Sequence, residues 1–542
     1  MIINVSKYNM ELLIKKNTLD GLGLYLIKNC IFFVILFLTA ISVVGYLYYY
    51  NNGLGLAYND ARSHLDIGRR VVEGLNTGIA QLGSVWLPLT HILMIPTIWN
   101  DFMWHSGLAG ALPSMIAFIG TGVLIYYFLK ELNVGLSGRL VGVAIFVANI
   151  NILYLQSTAM TELTLLGTMT AGSYYFLLWF KRSNILYLIY ASFWIMLSTL
   201  VRYDGWFLLF FATLMIFFYV WQKWGYAKSE GIVVLFMTLG GFGVVLWLIW
   251  NLLIFKDAFY FIFGPYSAYT QQKQLETAGV LATKNNLFLS AEIYIYALAY
   301  NSNAFTLIIG LIGAMALWTN RHISWHIRFA TMILVAPLLF NVIALYLGHS
   351  VLYVYGLSGR TWFNIRYGIM MMPSIAIFIG YIVHYAPKMR VLIISLLAMV
   401  TFFSVVNGDA VVVDDARFGS SQKNVTEVSG WLSENTKDEP GFILISVASH
   451  DSIIFSSGLP MKKFIHEGAG AYYESALINP DRWARWIVMR SNSDDDSTWK
   501  AMKNNAGFER FKLVDHYPFA DIYQLKDEYL KDLITEPILE HR

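Results

Sequence analysis

The chain is dominated by apolar blocks of about 17–25 residues, each long enough as a helix to cross a hydrocarbon layer of about 30 Å. Eleven are read, at roughly 30–50, 107–129, 138–156, 163–180, 185–201, 204–222, 231–254, 304–318, 329–347, 367–386 and 391–407. Composition agrees, with 57% hydrophobic and only 13% charged residues, against about 25% charged in an ordinary soluble domain. A soluble enzyme is excluded. The net charge of +3 is spread without a basic block, so nucleic acid has no electrostatic footprint here. The single cysteine, Cys30, excludes an intramolecular disulfide and a cysteine-ligated cluster.

The expected fold is therefore a polytopic α-helical membrane protein carrying a C-terminal soluble α/β domain. Lys7, Lys15, Lys16 and Lys28 precede the first block, and basic residues resist translocation. That places segment 1–29 in the cytoplasm. The loops joining the blocks on that side are short and basic, as at Lys181-Arg182 and Lys223. A transmembrane domain is expected over 30–407, with a long first external loop at 51–106. Residues 408–542 then form an external domain, in which acids (22 over 409–542) outnumber bases (15). Strands are expected at 441–447, 464–466 and 520–525, and helices at 424–435 and 476–489.

In such a chain, ionisable residues beside the membrane mark function, because charge there is costly unless it is paired or used. They gather on the external side. The first loop opens Tyr58-Asn-Asp60-Ala-Arg62-Ser-His64-Leu-Asp66-Ile-Gly-Arg69-Arg70. As a helix it puts Asp60 with His64, Arg62 with Asp66, and Asp66 with Arg70 at i,i+4 spacing. Asp60 is the candidate catalytic carboxylate, with His64 and an arginine-pinned Asp66 in support. The apolar, proline-punctuated stretch from Trp86 to Pro96, which includes His91, should lie in the membrane surface. Glu162 falls at the external turn between the third and fourth blocks, and Arg202-Tyr-Asp204 at the next. An amide and aromatic stretch contains Tyr266 and Gln271, and Arg360 and Arg366 lead into the tenth block. An arginine there can grip a phosphate through paired hydrogen bonds.

Together these residues resemble the GT-C superfamily, the polytopic glycosyltransferases that use polyprenyl-phosphate sugars. That superfamily includes protein O-mannosyltransferases, aminoarabinose transferases and the catalytic subunit of oligosaccharyltransferase. The likeness covers about residues 25–410. An acid soon after the first span is matched by Asp60, and one between spans three and four by Glu162. Gly83-Ser-Val-Trp86-Leu-Pro88, Arg202-Tyr-Asp-Gly-Trp206 and Arg366-Tyr367-Gly368 look like stretches of family 39-like bacterial and archaeal members. The paired Asp-Glu of protein mannosyltransferases is absent at Asn59-Asp60-Ala61, and no Asp-x-Asp surrounds Glu162.

The resemblance implies a GT-C fold and a lipid-linked sugar donor. Its partners would be the bilayer, a polyprenyl-phosphate-linked sugar and an extracytoplasmic glycan, lipid or protein acceptor. Asp60 would take the acceptor's proton, Glu162 would assist, and Arg366 with Arg202 would hold the donor phosphate. One base with no acid needed favours inversion. A divalent ion, magnesium or manganese, is left open by the two carboxylates. Two other readings stand beside this one. A polymerase or ligase using diphosphate-linked lipid would lean on Arg360, Arg366 and His349; a lipid-glycan transporter would use the polar clusters as a vestibule.

Overall fold

The computed structural model describes residues 28–538, apart from 84, 265, 266, 278, 420–424 and 494–495. Segment 1–27 and Tyr266 therefore lie outside the described residues. Among those described, six helices are long and apolar enough to cross a membrane, or eight if each of two bent pairs is one span. The chain is a multi-pass membrane protein.

The first span, α1 (Cys30–Asn51), leads into the long loop, which folds into α2 (Asn59–Val72) and the short apolar α3 (Leu89–Ile98). Next come α4 (Leu108–Glu131), α5 (Leu136–Val147), α6 (Ile150–Leu155), α7 (Glu162–Arg182), α8 (Ile185–Thr199) and α9 (Asp204–Trp224). The expected span at 138–156 is broken between α5 and α6, where the Asn149 side chain caps α6 by accepting from the Ile152 N–H at 3.0 Å. Helix α7 is less apolar than a typical span because Thr164, Thr168, Thr170 and Ser173 dilute it, and all four are buried against neighbouring helices.

Two bent pairs follow. Helices α10 (Tyr226–Gly240) and α11 (Phe242–Phe255) meet at 46°, and α12 (Leu287–Ser302) and α13 (Ala304–Thr319) at 108°. The second elbow is Asn303, whose φ of 66° lies in the left-handed region, which asparagine enters more readily than most residues. Helix α12 falls in a stretch expected to be loop. The last spans are α14 (Trp325–Tyr346), α15 (Ile365–Tyr385) and α16 (Arg390–Asn407). Helices α5 and α15 touch backbone to backbone: a Cβ on Gly138 would stand 2.4 Å from the Gly380 carbonyl oxygen. Small residues at such crossings let membrane helices pack closely without a hydrophobic drive between them.

After α17 (Val411–Phe418) and α18 (Thr426–Thr436) comes a five-stranded sheet in the order β2-β1-β3-β5-β4. Its strands are β1 (Phe442–Ile445), β2 (Phe464–Ile465), β3 (Ala484–Met489), β4 (Phe511–His516) and β5 (Asp521–Leu525). Strand β1 runs parallel to β2 and β3, while β5 is antiparallel to β3 and β4. The helix expected over 476–489 is instead α20 (Ala471–Ile478), with α19 (Val447–Ser457) before it, followed by the central strand β3. Ala484-Arg-Trp-Ile-Val-Met489 is a nearly unbroken apolar run because both faces of the sheet are covered, which erases the alternation of a half-buried strand. Trp486, Val488, Ile443 and Ile445 join the core that continues into the helical body, whereas Ile487, Met489, Phe442 and Leu444 pack with Tyr472 and Ala476 on the far face.

Candidate active site

Four helix starts converge on one place. Asp60 is in the first turn of α2, Glu162 opens α7, Asp204 opens α9, and Arg366 is the second residue of α15. Each helix N-terminus carries unpaired N–H groups and about half a positive charge, so the carboxylates are favoured where they stand.

The Arg366 guanidinium joins two of these acids. Its Nη2 donates to Asp60 Oδ2 at 2.7 Å and its Nε to Glu162 Oε1 at 3.0 Å. Arg202 comes from the other side, with Nη1 donating to the same Glu162 oxygen at 3.3 Å and Nε to Asp204 Oδ2 at 3.2 Å. Aromatic rings back both cations: Tyr58 lies 4.8 Å from the Arg366 guanidinium and Tyr367 4.8 Å from that of Arg202. Glu162 is therefore the hub, wholly buried between two arginines, while the Asp60 side chain keeps 32% of its surface exposed. Only Asp60 of this pair can meet an acceptor arriving in water.

The network is incomplete in a specific way. Arg366 Nη1 and Glu162 Oε2 are buried with no hydrogen-bond partner, and leaving such atoms unmet costs about 1–3 kcal/mol each. One is a donor on a cation and the other an acceptor on an anion. A ligand offering a phosphate oxygen and a hydroxyl would satisfy both.

The backbone explains why the sequence around Arg366 is Arg-Tyr-Gly. Asn364 turns the chain at φ 54°, and Ile365–Met371 runs as a 3-10 helix. A Cβ on Gly368 would sit 2.3 Å from the Ala297 carbonyl oxygen, so only glycine lets this tight turn press against α12. About one helical turn on from the charged residues, a small apolar slot is lined by Leu166, Met169 and Ser173 of α7, Leu208 of α9, Pro337 of α14, and Met370 and Pro373 of α15. Leu166, Met169 and Ser173 follow Glu162 at helical spacing, so charge and slot share one face of α7.

The other expected residues are distributed differently. His64 does not face Asp60; its Nδ1 lies 2.8 Å from His91 Nε2, and its ring stands 4.4 Å from that of Trp86. Burial, reinforced by Arg366 and Arg202, pulls His64 down to about 3, so it is neutral at pH 7. Asp66 is not pinned by arginines as its i,i+4 neighbours suggest. Arg62 donates to the Leu56 carbonyl and to Ser456 Oγ, and Arg70 Nη1 pairs with Asp451 Oδ1 of α19 at 2.9 Å. Asp66 takes the Trp104 indole N–H at 3.2 Å. Burial, then the Asp451 charge, raises Asp66 well above the usual carboxylate range. Arg360 and His349 are exposed and stand apart from the network. Gln271 lies on the helix Ala268–Thr277, and its side chain, like Tyr266, is outside the described residues.

Two contributors carried no sequence signal. Asp415 of α17, fully buried, accepts the Tyr58 hydroxyl at 2.9 Å, and Asp451 meets Arg70 across 381 positions of chain. Neither has a local pattern that could have announced it. For a metal ion, no three His, Cys, Asp or Glu side chains converge among the described residues.

No family model and no curated protein matches the sequence. Solved structures do match. ArnT from Cupriavidus metallidurans, bound to undecaprenyl phosphate, superposes with a TM-score of 0.53 over 90% of this chain and 98% of that one, at 10% identity. The fold is the GT-C fold. The oligosaccharyltransferase AglB from Archaeoglobus fulgidus also matches. Its complex with an inhibitory peptide and dolichol phosphate gives a TM-score of 0.45 at 10% identity, over 86% of this chain and 70% of that one. Its complex with zinc and sulfate gives 0.47 at 11% identity, over 84% and 67%.

Proposed function

We propose that the protein is a membrane glycosyltransferase that moves a sugar from a polyprenyl-phosphate donor to a hydroxyl-bearing acceptor on the extracytoplasmic side. The observation that carries this reading is the arginine–carboxylate network with its two unmet buried atoms, which a phosphate head suits. That the fold is shared with ArnT, whose structure holds undecaprenyl phosphate, supports the same donor class.

In this mechanism the phosphate accepts from Arg366 Nη1 and from Arg202, the more exposed of the two arginines. The acceptor hydroxyl approaches Asp60 through the oxygen that is free of the ion pair. Asp60 takes the hydroxyl proton as the acceptor oxygen bonds to the anomeric carbon. The carbon–phosphate oxygen bond breaks, and its electron pair leaves on the phosphate, where the arginines stabilise the charge. The phosphate needs no proton, so one base suffices and the displacement inverts the centre. Glu162 keeps both arginines aimed. The reading that basic loops stay in the cytoplasm supports a reaction and a C-terminal sheet that face away from it. A polymerase that leans on Arg360, Arg366 and His349 is less well supported, since of these only Arg366 is paired with the buried acids.

The test begins with the lipid-linked sugar that co-purifies with the full-length protein, identified by mass spectrometry. Wild-type protein should transfer that sugar, and Asp60→Asn should retain the lipid and lose transfer. Full transfer by Asp60→Asn would overturn the assignment.

A further inference from the structure

The aspartate at position 415 lies beyond the last span, in a stretch with no part in the mechanism above. We infer that Asp415 is a positioning residue for the donor-phosphate site, acting on Arg366 through the Tyr58 ring; this rests on the reading of Arg366 as a phosphate ligand.

The geometry forms a short chain of contacts. Asp415 Oδ2 accepts the Tyr58 hydroxyl at 2.9 Å, and that hydroxyl also lies 3.1 Å from the Val412 carbonyl oxygen of the same helix. Tyr58 is wholly buried, with its ring against the Arg366 guanidinium at 4.8 Å. Asp415 thus holds the residue two before Asp60, whose ring lies against Arg366.

Helix α17 is itself fastened. The Val412 N–H donates to Asn151 Oδ1 at 3.1 Å, and Asn151 Nδ2 lies 3.2 Å from the Asn301 carbonyl oxygen. Asn301 Nδ2 in turn donates to the Ile365 carbonyl at 2.8 Å. The segment 411–418 is therefore a strap held at both ends of the turn that presents Arg366. A buried carboxylate carries a heavy desolvation cost unless its hydrogen bonds are good, and a phenylalanine at 58 would pack as well without a hydroxyl to hold. The acid and the phenol together fix the plane of the ring, and the ring fixes the face that the cation can use. The working unit of the site would then extend past 407, through 418.

The experiment measures binding of undecaprenyl phosphate to purified full-length protein in detergent. Asp415→Ala and Tyr58→Phe should each weaken binding about tenfold, the loss of one charge-assisted hydrogen bond. Asp415→Asn, which keeps an acceptor for the phenol, should stay within about threefold of wild type. The double variant Asp415→Ala/Tyr58→Phe should bind no worse than Asp415→Ala alone, because the two residues act in series. Wild-type affinity in both Asp415→Ala and Tyr58→Phe, or losses that multiply to about a hundredfold in the double variant, would overturn the inference. Should Asp415→Ala fail to fold, Asp415→Asn and Tyr58→Phe carry the comparison. Arg366→Ala runs alongside. If it binds like wild type, the phosphate-site reading falls; if it loses binding while Asp415→Ala and Tyr58→Phe keep it, only the role of Asp415 falls.

Discussion

The two ends of helix α2 do opposite work with the same residue types. At its start, Asp60 is part exposed and tied to Arg366, which keeps one buried N–H unmet. Further along, Asp66 is wholly buried beside the Arg70–Asp451 ion pair, against the C-terminal sheet region. Glu73 continues that seam by accepting the Met461 N–H at 3.0 Å, and Gln81 by donating to the Gly468 carbonyl at 2.7 Å. A site must leave hydrogen bonds for its ligand. A docking seam spends its hydrogen bonds on its own partner, as Arg70, Glu73 and Gln81 do.

The sharpest way to break this contrast is at Asp60. Asp60→Asn should lower sugar transfer by about 10²–10⁴-fold while leaving thermal unfolding near wild type, because the residue is part exposed. Arg70→Ala should do the reverse. It strands the Asp451 carboxylate among buried groups and should cost on the order of 3 kcal/mol of stability, read as a lower unfolding temperature of the detergent-solubilised protein. Equal melting of the two variants would erase the distinction.

A smaller effect is expected at Arg366. Its alanine variant should lose about 1.5–3 kcal/mol of donor-lipid affinity, as for hydrogen bonds to a charged group. Lysine, with no planar fork, should recover part of the loss. Alanine and lysine variants that both match wild type would leave the arginine with lipid headgroups rather than with the donor.

The smallest effect is in pH, and the two ends differ in sign. His64 is held at about 3 in the folded protein against 6.5 when free, so the unfolded chain binds more protons between those values. Its contribution is complete above pH 6.5 and fades as pH falls toward 3, by at most about 1.4 kcal/mol per unit. Asp66 is raised, so its contribution is complete below the ordinary carboxylate value of 3.8 and fades as pH climbs through its folded value. Unfolding followed from pH 7 to 5 should steepen less in His64→Gln. Followed upward from pH 5, it should flatten in Asp66→Asn. Unchanged slopes would show that these groups titrate alike folded and unfolded.

Much of the candidate site was legible because its acids sit at block edges. Glu162, Asp204 and Arg366 lie within a residue or two of where an apolar helix begins, and a charge there stands out against the run that follows. Their partners were not legible. Spacing along α2 offers Arg62 and Arg70 to Asp66, yet each is claimed by a residue of α19 or by the preceding turn. The i,i+4 rule contributes only about 0.2–0.5 kcal/mol on a helix, less than a buried long-range pair. Strand β3 was misread for a related reason: burial on both faces leaves no period to read. Asp415 lies 357 positions from the tyrosine it holds, and nothing local marks it.

What the sequence determines alone is the membrane-crossing character of the chain and that charges stand out beside its apolar runs. Both follow from local properties, the length of an apolar run and the cost of moving charge across lipid. Which carboxylate is buried, which stays wet and which arginine each one meets were decided by packing. Those pairings join residues hundreds of positions apart, and their energies exist only once the helices have closed around them.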